Sequence, residues 1–268
     1  VELDVTVVKP KGGRDLGQVD FSAQLRLVAL TDGVQSLALR LQGRRPRCKG
    51  DERWGEFDIA SIRDYAGEPV PAIQDHNQLF VLLRTPMKKG DIETLTLEYG
   101  GAVLESVTMA DQADIYFTAL QDFPWYPRPL WPDRHSLQTT VHVPRFYKGV
   151  ATGDLVEETE DDDMRTMVYR ERGGVLGGML AVGDFAMTEG EEGGTRILVF
   201  TSLQNRQTAK DIVKRTQAML RYFAVIWGPY PYSTLTILDQ PALPSGNWQY
   251  DATESLALTQ EAGWTCSP

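Results

Sequence analysis

A chain of 268 residues that is 42% hydrophobic and 24% charged has the composition of a folded protein, and the length of one large domain or two ordinary ones. Its 37 acidic residues outnumber 27 basic ones, and the net charge of −10 argues against nucleic acid or an anionic membrane surface as a partner. No apolar run reaches the roughly 18 residues that a helix needs to cross a bilayer. The two cysteines, Cys48 and Cys266, match no metal spacing, and whether they pair stays open. The first residue is Val1 rather than Met, so an upstream segment is expected to have been removed. No targeting signal is legible, which leaves both an exported and a cytoplasmic location open.

From the start to about residue 202 the chain reads as strands. "VELDVTVVK" alternates apolar and polar residues, and "DFSAQLRLVALTDGVQSLALRLQG" is two such runs around "TDG", a hairpin signal. "LFVLLRTP", "IETLTLEYGG", "SLQTTVHVP", "TMVYRE" and "TRILVFTS" continue the pattern, separated by clusters of Gly, Asp and Pro. Many short strands at this spacing predict an antiparallel sandwich or a saddle-shaped sheet. The acidic run "VEETEDDDM" at 156–164 lacks the Gly and closing Glu of a calcium loop and reads as a solvated hairpin tip. "GGVLGG" at 173–178 has no strand-then-helix context for a dinucleotide and reads as a flexible turn.

The texture changes at residue 203. In "TAKDIVKRTQAMLRYFAVIWG", Ile212, Met219, Leu220, Phe223, Ile226 and Trp227 recur at helical spacing, with Thr216 filling the gap in the stripe. Thr208 with Asp211 predicts the N-terminal cap, and Gly228 followed by Pro229 the stop. "STLTILDQ" follows as a strand. Residues 1–202 are therefore expected to form a β domain, and 203–268 the beginning of a second one. A helix with one apolar stripe and one or two strands cannot bury their faces alone.

Three stretches together carry a resemblance. "WGPYPYSTLTILD" at 227–239, "FPWYPRPLWPDRHSLQTTVHVP" at 123–144 and "SGNWQYDA" at 245–252 resemble, in order and distance, segments of the aminopeptidase N family of zinc metallopeptidases, in its bacterial form. The last stands where that family has a G-A-M-E-N or G-G-M-E-Y motif. The resemblance implies a mainly β fold: a saddle-like antiparallel β-sandwich N-domain, then the start of an α/β thermolysin-like catalytic domain. It also implies peptide substrates and a zinc ion held by H-E-x-x-H and a later Glu. This chain contains only His76, His135 and His142, none of them in H-E-x-x-H, so no metal ligand is assigned and the chain alone is expected to be inactive. Zinc is expected in the full-length protein.

In the family, the Gly-rich motif runs beside the substrate, and its Glu holds the free α-ammonium. The resemblance places Gly246, Asn247, Trp248, Gln249 and Tyr250 at this substrate-binding edge, with Gln249 in the place of Glu. Hydrogen bonds to charged groups contribute about 1.5–3 kcal/mol and neutral ones about 0.5–1.5, so the exchange weakens amine recognition by about 1–2 kcal/mol. Asp251 is two residues on and would share a face with Gln249 in an extended segment; Glu254 is a further carboxylate nearby. Trp125, Tyr126 and Trp131 read as packing aromatics. Three functions remain in competition: the N-terminal portion of an aminopeptidase N-like peptidase, packed against the remainder of its catalytic domain; a non-catalytic peptide- or protein-binding scaffold of the same fold; and a β-sandwich interaction module.

Overall fold

The computed structural model describes residues 1–8, 17–41, 57–104, 115–119, 124–131, 133–201, 206–239, 248–252 and 256–261. Alternation becomes layering throughout the first two-thirds of the chain. In β1 (Glu2–Val8), Leu3, Val5 and Val7 are buried; in β2 (Gly17–Val28), Val19, Phe21, Ala23 and Leu25; in β7 (Ile92–Leu104), Leu95, Leu97 and Tyr99. Every second side chain of a strand takes the same face, so these odd positions make one apolar surface. With β4 (Asp58–Arg63), β10 (His135–Pro144), β12 (Asp154–Glu160) and β13 (Met164–Val175) they form a seven-stranded sheet, ordered β12-β13-β10-β1-β2-β7-β4. Its neighbours run antiparallel except β1 and β10, which pair in parallel from Glu2 opposite Gln138 to Thr6 opposite His142.

A four-stranded sheet, β5 (Ala72–Asp75), β6 (Gln78–Met87), β3 (Val34–Arg40) and β9 (Arg128–Pro129), adds Leu39, Leu79 and Val81 to the same core. Aromatic rings fill the centre. Phe21 stacks on Tyr99 at 4.9 Å, Phe57 meets both edge-on at 5.0 and 5.5 Å, and Trp125 lies edge-on to Tyr126 at 4.8 Å. The Tyr99 hydroxyl donates to the Trp125 carbonyl at 3.0 Å, and burial pushes its pKa well up, so it stays a neutral donor.

The expected hairpin at "TDG" does not form. β2 pairs with β1 and β7, whereas β3 pairs with β6 and β9, so residues 29–33 carry the chain from one sheet to the other. A second crossing lies beside it, where β6 passes to β7. The two are stitched by Ala29 N–H to Asp91 O (3.0 Å), Gly33 N–H to Met87 O (2.8 Å) and Gly90 N–H to Ala29 O (2.8 Å). The glycine allows the turn, with φ of +78° at Gly33, but turn chemistry does not specify which strand becomes the neighbour. The acidic run does form a hairpin tip between β12 and β13: Asp161 accepts the N–H groups of Asp163 and Met164 at 3.0 and 2.7 Å.

"GGVLGG" is not a flexible turn. Gly173 and Gly174 are among the last residues of β13, which ends at Val175, and Gly178 is buried; a Cβ there would stand 2.4 Å from Leu137 Cδ2. Trp125 Nε1–H donates to Gly178 O at 2.8 Å, and Gly178 N–H donates to Tyr126 Oη at 2.9 Å. The glycine is needed for close approach rather than for freedom.

Beyond this point the architecture becomes layered α/β. β15 (Ala186–Glu192), β16 (Thr195–Thr201), β17 (Thr234–Asp239), β19 (Leu256–Glu261) and β18 (Trp248–Ala252) form a five-stranded sheet in that order. Strand pairing thus runs across the expected boundary at 202/203, because β16 pairs in parallel with β17. One face meets β11 (Lys148–Ala151) and β14 (Leu180–Gly183) through Val150, Met179, Ala181, Phe185, Leu198, Phe200 and Leu238. These two strands and β8 (Ile115–Ala119) make a three-stranded sheet. The other face carries α1 (Arg206–Trp227), through Ile197, Val199, Ala209 and Val213.

α1 begins before the expected cap: Thr208 is already inside the helix, and its first turn has no acidic residue. Its end is as expected, with Gly228 at φ +90° donating to Ala224 O at 3.1 Å, a left-handed closure. The buried face is rotated from the expected stripe. Ala209, Val213 and Thr216 are buried and Leu220 half-buried, while Met219, Ile226 and Trp227 are exposed by 57, 51 and 77%. The flank of the helix beside Val213 is tied to β15 by Gln217 Nε2 to Glu191 O (2.9 Å) and an Arg221–Glu192 ion pair (2.7 Å).

Candidate functional site

β18 pairs with β19 antiparallel, with Trp248 opposite Glu261, Gln249 opposite Gln260 and Tyr250 opposite Thr259. β19 in turn pairs in parallel with β17. β18 therefore closes the sheet order, and among the described residues no strand pairs with its other side. An edge strand offers a row of backbone N–H and C=O groups to an extended partner. Of the five expected substrate-binding residues, Trp248, Gln249 and Tyr250 are consecutive in this strand, and Asp251 follows at the position alternate to Gln249. Gly246, Asn247 and Glu254 lie outside the described residues, as do Cys48 and Cys266.

The histidines are engaged elsewhere. In β10, His142 bonds Thr166 Oγ1 through Nδ1 at 2.8 Å and Asp4 Oδ2 through Nε2 at 3.1 Å. His135 bonds Asp133 O through Nδ1 at 3.2 Å and Tyr126 Oη through Nε2 at 2.9 Å. Burial lowers its pKa, so the ring is neutral near pH 7. His76 pairs with its neighbour Asp75 at 2.6 Å on an exposed turn. Among the described residues no group of three His, Cys, Asp or Glu side chains is arranged to hold a metal ion. Both ring nitrogens of the two β10 histidines are already bonded within the protein, so the described residues do not fit zinc. No helix among them is long and apolar enough to cross a membrane.

A concavity lies on the outer face of the seven-stranded sheet, lined by Asp4, Asp20, Asp58 and Glu98 around Ser22 and Gly100. Ser22 donates to Glu98 at 2.7 Å there. Sequence reading passed over one connection. Tyr126 packs as expected, fully buried, and His135 is no metal ligand; Tyr126 Oη also bonds His135 Nε2 and accepts Gly178 N–H. Their nine-residue separation gave no hint, because Tyr126 lies outside β10.

No family model and no curated protein matches the sequence. Solved structures do match. The M1 zinc metallopeptidase from Deinococcus radiodurans superposes with a TM-score of 0.69 at 18% identity, over 97% of this chain and 59% of that one. A mutant of it bound to a Tyr-Ser-Ala substrate gives 0.64 at 17% identity, over 96% and 59%. A two-domain M1 mutant bound to L-arginine gives 0.65 at 16%, over 97% and 60%. The chain thus spans about three-fifths of the length of the structures it matches. The mainly β architecture, the several sheets and the βαβ unit at β16–α1–β17 together give this chain the fold of the N-terminal part of the M1 zinc metallopeptidases, the aminopeptidase N family.

Proposed function

We propose that this chain is the front part of an aminopeptidase N-like zinc metallopeptidase, and that Gly246 to Tyr250 hold its peptide substrate. The observation that carries the reading is the position of β18 at the edge of the five-stranded sheet, with Trp248, Gln249 and Tyr250 in it. A peptide laid along such an edge gains backbone hydrogen bonds in the manner of an added strand, and side-chain pockets then select among peptides. Gln249 accepts a hydrogen bond from the substrate's amino group without supplying a charge. Asp251 is alternate to it in the strand, and since alternate positions of a strand share a face, its carboxylate is the group proposed to supply one. The zinc that would activate water is expected in the full-length protein, on the likeness to M1 zinc metallopeptidases; no metal-binding group stands among the described residues.

The rest of the catalytic domain is the partner this part needs. Met219, Tyr222 and Ile226 form an uncovered shoulder on α1, turned away from β15. Exposed apolar stripes of this kind mark interaction surfaces. A further layer of the same domain, seated beside α1 over β17 and β19, would cover it. On this reading the catalytic domain begins at β15, ahead of residue 203, because β15 and β16 share their sheet with β17.

The test uses the full-length protein. Gln249→Glu should raise the ratio of turnover of a free-amine peptide over its N-acetylated form by about 5- to 30-fold, the equivalent of about 1–2 kcal/mol. An unchanged ratio removes Gln249 from amine recognition. If the zinc-loaded full-length protein hydrolyses no peptide, the enzyme reading falls. One observation favours a second reading: an amide in the place of the family's carboxylate suits a non-catalytic peptide-binding scaffold. In that case peptides would raise the melting temperature by mass action without being cleaved.

A further inference from the structure

We propose that His135, Tyr126 and Gly178 form an acid-sensitive latch, which fastens the segment between β13 and β14 to the sandwich and opens when the imidazole is protonated. The hydrogen-bond directions define the closed state. The Asp133 carbonyl can only accept, so in the neutral ring Nδ1 carries the proton and donates to it at 3.2 Å. Nε2 then accepts the Tyr126 hydroxyl proton at 2.9 Å, and the same phenolic oxygen accepts Gly178 N–H at 2.9 Å. Trp125 Nε1–H holds the carbonyl of that glycine at 2.8 Å. One residue is thus gripped at both its polar groups, and it sits so close to Leu137 that an added Cβ would stand 2.4 Å from Leu137 Cδ2. Thr152 extends the fastening, accepting Met179 N–H through Oγ1 at 2.9 Å and donating its own N–H to Met179 O at 3.1 Å.

Protonation puts a second N–H on the ring, aimed at an oxygen that now points its own proton at it. The Tyr126 hydroxyl must turn away and loses its acceptor, and its oxygen then faces two N–H donors, His135 Nε2–H and Gly178 N–H, so the grip on Gly178 weakens. The new charge is also poorly placed. The Arg128 guanidinium lies 5.6 Å over the Tyr126 ring, and the Val1 amino group adds a second positive field. Asp133 is the acidic group on the same side, and its attraction is outweighed by burial. On β13, Arg134 reaches Gly174 O at 2.8 Å, and Glu171 accepts Gly173 N–H at 2.7 Å, so the charges facing this end of the strand are already engaged. The segment released leads through β14 into β15, the first strand of the sheet whose far edge is β18.

The test is amide hydrogen exchange by NMR on the protein, corrected for intrinsic exchange, from about pH 7.5 to pH 5, a window spanning the ordinary histidine range. The protection of Gly178 relative to Val199 in β16 should fall by about tenfold for each pH unit by which burial lowers the His135 titration. His135→Gln keeps a neutral acceptor for Tyr126, and should hold the ratio constant with pH; His142→Gln should leave the fall intact. A pH-independent ratio in the wild type, or the same fall in His135→Gln, overturns the latch. Should the glutamine variant not fold, the ring resonances of His135 decide: the latch requires their midpoint to coincide with the loss of Gly178 protection, and separate midpoints overturn it.

Discussion

In the sandwich, Phe21, Phe57, Tyr99, Trp125 and Tyr126 are 0–3% exposed and fill the space between two sheets. Along α1, Met219, Tyr222, Ile226 and Trp227 stand 51–77% exposed, although the helix covers Ile197 and Val199 well. Large apolar residues are used in two ways. The first region satisfies its own faces. The second buries one stripe and leaves another open, so its stability within this chain and its stability in a larger assembly are different quantities.

The largest expected effect tests the closed region. Trp125→Ala removes a fully buried ring and the donor to Gly178 O, and should cost about 3–5 kcal/mol in urea unfolding. A loss below about 1 kcal/mol would mean that the sandwich is no better closed than the helix layer. Next comes the covered side of α1. A Cβ at Gly190 would stand 2.4 Å from Val213 Cγ1, so Gly190→Ala should destabilise by about 1–3 kcal/mol through overpacking between β15 and the helix. The uncovered side should behave otherwise. Met219→Ser or Ile226→Ser should change the stability of this chain by no more than about 0.5 kcal/mol. In a full-length protein that seats another layer there, the same changes should cost several times more; equal effects in both would show that nothing docks on the shoulder.

The smallest effect concerns the exposed hairpin. Hydrogen bonds from Arg165 and then Arg145 hold the Glu160 carboxyl below its ordinary range. With the folded value depressed, its contribution is present above the ordinary carboxylate pKa and is lost as pH falls through the folded one. Arg165→Gln should move the Glu160 midpoint upward in a carboxyl NMR titration; an unmoved midpoint would show that the ion pair at 2.7 Å is not maintained in solution.

The legibility of the sequence follows this division. Strand positions were readable wherever one face is buried, as in "VELDVTVVK", because alternation and burial are one fact seen twice. Partner choice was not. The Gly33 turn reads the same whether it joins neighbours or changes sheets, and the contacts that decide it come from residues 87–91. The helix was legible in extent but not in facing. Its apolar arc is wider than the sheet beneath it, so periodicity alone pointed between the covered and uncovered sides. Gly178 looked like slack because a glycine required for close packing and one required for turning are identical on paper. At the candidate site the motif's neighbourhood was legible through resemblance. That β18 closes the sheet was not, since β19, which follows it in sequence, inserts between it and β17.

The parallel pairing of β1 with β10 sets an order of events at birth. β2 follows β1 closely and ends at Val28, but the other side of β1 must wait for Gln138 to His142. At the usual synthesis rate of about 5–20 residues per second, that interval lasts on the order of ten seconds. Throughout it β1 keeps one unpaired side, and unpaired strand edges of this kind make incomplete chains prone to aggregate, the need that chaperones meet.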